Sequence, residues 1–122
     1  MKKILIVEDN EVLLRVVKNR FLTSGWDVSV ADNGDKVIPL LEDGKPDLVL
    51  LDLILPGKSG FEVLQEMKKN PELKNIPVIV ISNLGMEEDV KKALAMGAND
   101  YFIKTQHQLT EIIEKAEQYA GK

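Results

Sequence analysis

The sequence predicts an α/β fold: a doubly wound parallel sheet of five strands with helices on both faces, in one domain spanning residues 1–122. Three observations predict it. Short runs rich in Val, Ile and Leu alternate with segments of helical spacing, glycines and cap residues punctuate the joins, and at 122 residues the chain has the length of one domain.

The first run, Ile4 to Val7, is apolar without polar alternation, as in a strand buried on both faces. Its opening, Met1-Lys2-Lys3, imitates a signal peptide, but the apolar stretch stops at Glu8-Asp9, far short of a secretory core or a membrane span. Helix one follows, with Leu14, Val17 and Phe21 on one face, Asp9 or Asn10 as its cap and Gly25 at its end. Strand two is Val28 to Ala31, read as buried like the first. Helix two, Lys36 to Glu42 after a cap at Asp35, is expected to be short or distorted because Pro39 removes a backbone donor; Gly44 closes it.

Strand three is Leu48 to Leu51, and helix three carries Phe61, Leu64 and Met67. Strand four is Val78 to Ile81. Helix four, capped from Ser82 or Asn83 and closed by Gly97, offers Val90, Leu94 and small alanines to the core. A weaker strand, Tyr101 to Ile103, precedes helix five with Leu109, Ile112 and Ala116. Right-handed crossovers between such units give the flavodoxin-like strand order 2-1-3-4-5, whose ligand site lies at the carboxyl ends of strands one and three.

Composition narrows the function. With 44% hydrophobic and 30% charged residues the chain has the balance of a soluble globular protein. No cysteine is present, which removes disulfides, thiolate zinc sites and a cysteine nucleophile, and fits a reducing, cytoplasmic location. A net charge of −4 with scattered lysines argues against direct nucleic-acid binding, and Lys68-Lys69 and Lys91-Lys92 read as solvated helix faces. No membrane partner is expected.

The chemistry gathers at the strand ends. Strand one ends in Glu8 and Asp9, and strand three in Asp52. Three carboxylates in one cleft repel one another unless a cation joins them, and an all-oxygen site with room for water suits Mg²⁺. Strand four contributes the Ser82 hydroxyl and strand five the Lys104 ammonium. Metal and ammonium can neutralise a phosphoryl group while one carboxylate attacks it in line. Each residue also has a purely structural use: Asp9 and Ser82 as helix caps, Lys104 as a solvated lysine, Tyr101 as an edge-strand aromatic. Their coincidence at one crevice favours the site. His107, a lone histidine near the start of helix five, is read as structural.

Over its whole length the sequence resembles the receiver domain of two-component response regulators, chemotaxis-regulator-like. The resemblance rests on Glu8-Asp9, on Asp52 with Leu55-Pro56-Gly57 and Ser59-Gly60, on Ser82, and on Tyr101 three residues before Lys104. It implies a phosphorylation-activated switch with Asp52 as phosphoacceptor and no enzymatic activity beyond its own phosphorylation and dephosphorylation. It also implies Asp9 as direct Mg²⁺ ligand together with Asp52, Glu8 acting partly through water, and the main-chain carbonyl of Ile54 completing the protein's share. Ser82 and Lys104 would hold phosphoryl oxygens, and Ser82 and Tyr101 would switch, with output through helix four, strand five and helix five. Ile54 and Leu84 would flank the path of the hydrolytic water. No cofactor other than Mg²⁺ is implied.

The implied partners are a sensor histidine kinase or phosphotransfer protein and a downstream target or output domain, with the protein a monomer or a phosphorylation-dependent dimer. Since little follows helix five, the chain is expected either to bind partners directly or to come from a longer regulator. One departure stands out: receivers typically follow the site lysine with proline, whereas Lys104 precedes Thr105. A cis bond before a non-proline residue costs roughly 2.5–4 kcal/mol, so a trans bond and a rearranged loop at Thr105 and Gln106 are expected.

Rival classes fit less well. A P-loop at Gly57-Lys58-Ser59 would place Asp52 where its first glycine belongs. A flavin phosphate would meet Glu8-Asp9-Asn10, which is the wrong charge. A Mg²⁺-dependent aspartyl-phosphate phosphatase would want a second acid where Ile54 stands. A non-phosphorylated receiver-like scaffold remains the third alternative, against which the intact acidic pocket argues.

Overall fold

Strands and helices alternate along the whole of the computed structural model, which describes residues 2–104 and 107–120. The strands β1 (Lys3–Val7), β2 (Asp27–Ala31), β3 (Leu48–Leu51), β4 (Val78–Ser82) and β5 (Asp100–Ile103) pair in parallel in the order β2-β1-β3-β4-β5. The helices are α1 (Glu11–Thr23), α2 (Val37–Gly44), α3 (Gly60–Lys69), α4 (Glu87–Ala95) and α5 (Leu109–Ala120). Order and layering are those expected from the sequence.

Alternation along the buried strands divides the core in two. Leu5, Val7, Val49, Leu51, Val78 and Val80 face α2, α3 and α4, packing on Val37, Leu41, Val63, Leu64, Met67 and Ala93. Ile4, Ile6, Leu48, Leu50, Ile79 and Ile81 face α1 and α5, packing on Val17, Phe21, Ile112, Ile113 and Ala116. The same side joins Trp26, whose ring meets Phe21 edge to face at 5.3 Å and whose indole N–H donates to Glu117 Oε1 at 3.0 Å.

Four local expectations change. β2 is an edge strand and buries only Ala31 fully, so its Val-rich run reflects strand propensity and not burial on both faces. Asn33, not Asp35, provides the cap before α2, accepting from Lys36 N–H at 3.1 Å over a short 3₁₀ turn, Gly34–Lys36. Pro39 then falls in the first turn of α2, where its missing N–H has no intrahelical partner to lose; the helix is short but regular. It ends at Gly44 as expected, and the next residue, Lys45, takes the left-handed position with φ of 40°. α4 begins after Met86 with no side-chain cap, and Leu94 is 44% exposed; Ala93 is its one fully buried residue and Val90 is half-buried. The Lys104–Thr105 bond and the loop at Thr105 and Gln106 lie outside the described residues.

Candidate functional site

Register places the acids. Val7 lies beside Ala31 and Leu51, so the chain leaves β1 and β3 at one level. Glu8 N–H then donates to Ala31 O at 3.0 Å and Asp52 N–H to Val7 O at 3.1 Å, holding the backbones that carry both carboxylates. Asn10 turns the chain into α1. Its side chain accepts from Val12 N–H at 3.0 Å and Leu13 N–H at 3.1 Å, while its own N–H donates to Glu8 Oε2 at 3.0 Å. Asp9 is left exposed beside buried Glu8 and Asp52, and oxygens of the three lie within 4.8 Å of one another.

The loop after β3 is shaped to keep Asp52 accessible. Gly57 adopts φ of 72°, which favours glycine, and a side chain at Gly60 would collide with the backbone of Asp52 and Leu53. Ser59 caps α3 by accepting from Glu62 N–H at 3.2 Å while Glu62 accepts from Ser59 N–H at 3.2 Å. Asp52 Oδ1 meanwhile accepts Ile54 N–H at 3.1 Å.

Lys104 closes the site from β5. Its ammonium donates to Asp52 Oδ2 at 2.7 Å and stands 2.6 Å from Glu8 Oε1. Through the second contact Lys104 is the one partner of the buried Glu8 Oε1 among the described residues. Burial raises the Glu8 carboxyl above its usual range and outweighs the Lys104 and Asn10 contacts that lower it. For Lys104 burial is the largest single influence and lowers its pKa, but the two carboxylates together raise it on balance. An acidic cleft of about 420 Å³ opens above these groups, lined by Glu8, Asp9, Asn10, Asp52, Ile54, Asn83 and Lys104.

The structure thus brings together Glu8, Asp9, Asp52, Ile54 and Lys104. It holds Ser82 back. The hydroxyl is buried and accepts Leu84 N–H at 3.2 Å, and Asn83 faces the cleft in its place. Leu84, expected to flank the cleft, packs onto the core on the α3 side because its backbone is engaged at both ends: the N–H by Ser82, the carbonyl by Tyr101. Tyr101 is already half-buried, donating its hydroxyl to Leu84 O at 2.6 Å, and burial pushes its phenol up. Asn83 was foreseen only as a cap; its position just past β4, at the edge of the sheet that carries Asp52, was the available signal.

A buried carboxylate fixed by an N–H and an ammonium, beside two further acids at the floor of an open cleft, is arranged to attack an electrophilic phosphorus. The three clustered carboxylates, with one lysine among them, also suit a small hard cation, which would relieve the repulsion among them.

Comparison with known proteins agrees. A family model described as the response regulator receiver domain matches residues 4–117. The chain is 35% identical over 104 residues to the phosphate regulon transcriptional regulatory protein PhoB of Rhizobium meliloti, covering 85% of this chain and 46% of PhoB, so it spans about half that relative's length. It is 32% identical over 120 residues to the polar-differentiation response regulator DivK of Brucella anthropi, covering 98% of this chain and 97% of DivK. Among solved structures, the receiver domain of the sensor histidine kinase PA1611 of Pseudomonas aeruginosa, with magnesium in its active-site cleft, superposes with a TM-score of 0.89 at 25% identity, covering 99% of this chain and 98% of that one.

Proposed function

The chain belongs to the response regulator receiver family, a family of phosphorylation-accepting signalling switches, and from that premise we propose that Asp52 is its phosphoacceptor and Lys104 the cation that follows the transferred group. The observation that carries this reading is the 2.7 Å contact of Lys104 with Asp52 Oδ2 inside the acidic cleft. Residues 1–122 are read as one phosphoacceptor unit, and its only catalysis as that of its own phosphorylation and dephosphorylation.

An Asp52 oxygen forms the new P–O bond as the P–N bond to a phosphohistidine of the donor breaks, and the electron pair leaves with the imidazole nitrogen. Both Asp52 oxygens are engaged, Oδ1 by Ile54 N–H and Oδ2 by Lys104. Attack therefore requires one to be released. Oδ2 is the freer, because the Lys104 ammonium can pass to a phosphoryl oxygen without leaving its ion pair with Glu8. Ser82 reaches the phosphoryl group only by giving up Leu84 N–H, and that exchange shifts the segment from which Leu84 O holds Tyr101. Site chemistry is thereby linked to α4 and β5.

Asp9 and Asp52, with Glu8 and the Ile54 carbonyl, would hold Mg²⁺. When bound it neutralises charge on the phosphoryl oxygens. The cluster of three acids supports this assignment, as does the magnesium in the PA1611 receiver. The partners that fit are a histidine kinase or phosphotransfer protein as donor and a protein target of the α4, β5 and α5 face. Mass spectrometry after incubation with acetyl phosphate tests the reading. One added phosphoryl group, dependent on Mg²⁺ and absent in Asp52→Asn, is expected; undiminished labelling of Asp52→Asn overturns it.

A further inference from the structure

β5 is the last strand of the sheet, so one of its edges has no partner strand. Lys104 N–H points inward and donates to Ser82 O at 2.9 Å. Strand alternation therefore turns the N–H of Ile103, one residue earlier, to the open edge, where an unpaired donor is a liability. His107 fills that position. Its backbone N–H donates to Ile103 O at 3.1 Å, its ring Nδ1 lies 3.0 Å from Ile103 N, and the ring meets Phe102 edge to face at 5.1 Å.

We propose that His107 is a positioning residue for phosphoryl transfer: a clamp on the end of β5 that fixes the backbone from which Lys104 reaches Asp52 and Glu8. The inference rests on the phosphoacceptor reading of Asp52. Three contacts of one side chain and its own amide tie residue 107 to residues 102 and 103, immediately before Lys104. Among the described residues the Lys104 backbone is otherwise held there by one bond, to Ser82 O of β4. The sequence after Lys104 lacks the proline that the resemblance led us to expect, and the histidine supplies a side-chain restraint on the same turn.

The clamp requires a specific tautomer. Nδ1 also lies 3.2 Å from Ile103 O, so it can either accept from the amide or donate to the carbonyl, but not both. That carbonyl already receives the His107 amide, whereas Ile103 N–H has no other acceptor among the described residues, so the arrangement that satisfies both groups puts the ring proton on Nε2 and turns the Nδ1 lone pair to Ile103 N–H.

The test compares wild type, His107→Phe and His107→Asn in the full chain. Phe keeps a ring against Phe102 but no acceptor; Asn places a carbonyl oxygen where Nδ1 stands. With acetyl phosphate and saturating Mg²⁺, the maximal labelling rate of His107→Phe should fall roughly threefold to tenfold at unchanged Mg²⁺ affinity, as for one lost hydrogen bond. His107→Asn should recover most of the rate. Because the chain has one histidine, its imidazole ¹⁵N shifts should show an unprotonated Nδ1. A wild-type rate in His107→Phe, no recovery in His107→Asn, or a protonated Nδ1 overturns the clamp. Wild type that takes no label instead overturns the phosphoacceptor reading, and the ¹⁵N shifts still decide the clamp.

Discussion

At the residue scale, Glu8 carries the sharpest conflict. It is 1% exposed, its carboxyl is raised by burial, and its Oε1 is met only by a lysine it shares with Asp52 among the described residues. A carboxyl raised in the folded state opposes folding in full above the raised value; the penalty fades as pH falls through that value and is gone below the ordinary value of 4.5. Glu8→Gln is therefore expected to stabilise the cation-free protein at pH 7 by on the order of 1 kcal/mol, and this advantage should shrink on acidification. Mg²⁺ should stabilise wild type more than the variant. Urea unfolding at pH 7 and pH 5, with and without the ion, checks both statements, and a variant less stable than wild type without Mg²⁺ contradicts them. Ile54, 57% exposed, lines the cleft with an apolar side chain. Ile54→Asn admits and orients water there and should speed decay of the phosphorylated state severalfold; decay followed after donor removal measures it, and an unchanged rate removes the argument.

At the element scale, the helices differ in how firmly they are held. α3 has a reciprocal cap and buries Gly60, Val63, Leu64 and Met67, whereas α4 has no side-chain cap and fully buries Ala93 alone. Few buried contacts make an element easy to displace. Besides the packing of the Leu84 side chain, two polar tethers join α4's approach to the sheet: the Ser82 and Tyr101 bonds to the two ends of Leu84. On addition of Mg²⁺ and beryllium fluoride, amide exchange over residues 83–97 is expected to change while α3 stays protected. Tyr101→Phe removes one tether and should speed exchange in that segment before activation; protection identical to wild type counts against the coupling. Capping is also measurable on the other side of the site. Asn10→Ala removes the acceptor for Val12 and Leu13, so about 1 kcal/mol of stability should be lost in denaturant unfolding.

At the scale of the molecule, strand order and the position of the acids were legible because parallel buried strands leave long Val/Ile/Leu runs and each crossover returns the next strand end to the same edge of the sheet. Legibility failed where a neighbour, and not the local sequence, decides. The exposure of β2 follows from its edge position, the harmlessness of Pro39 from the 3₁₀ turn that delays the start of α2 to Val37, and the withdrawal of Ser82 from the hydroxyl's bond to Leu84. His107 was read as structural because its partner, an edge amide, leaves no mark in the side-chain pattern. Trp26 has a different consequence. It precedes β2, at the amino end of a parallel sheet whose carboxyl end carries the acids, and it is buried against Phe21 and Glu117. As the chain's one tryptophan, it makes intrinsic fluorescence a reporter with a blind side. Emission should shift cooperatively as the protein unfolds, yet stay nearly constant through a Mg²⁺ titration, so a spectroscopist seeing no quenching would be looking at geometry and not at a failure to bind.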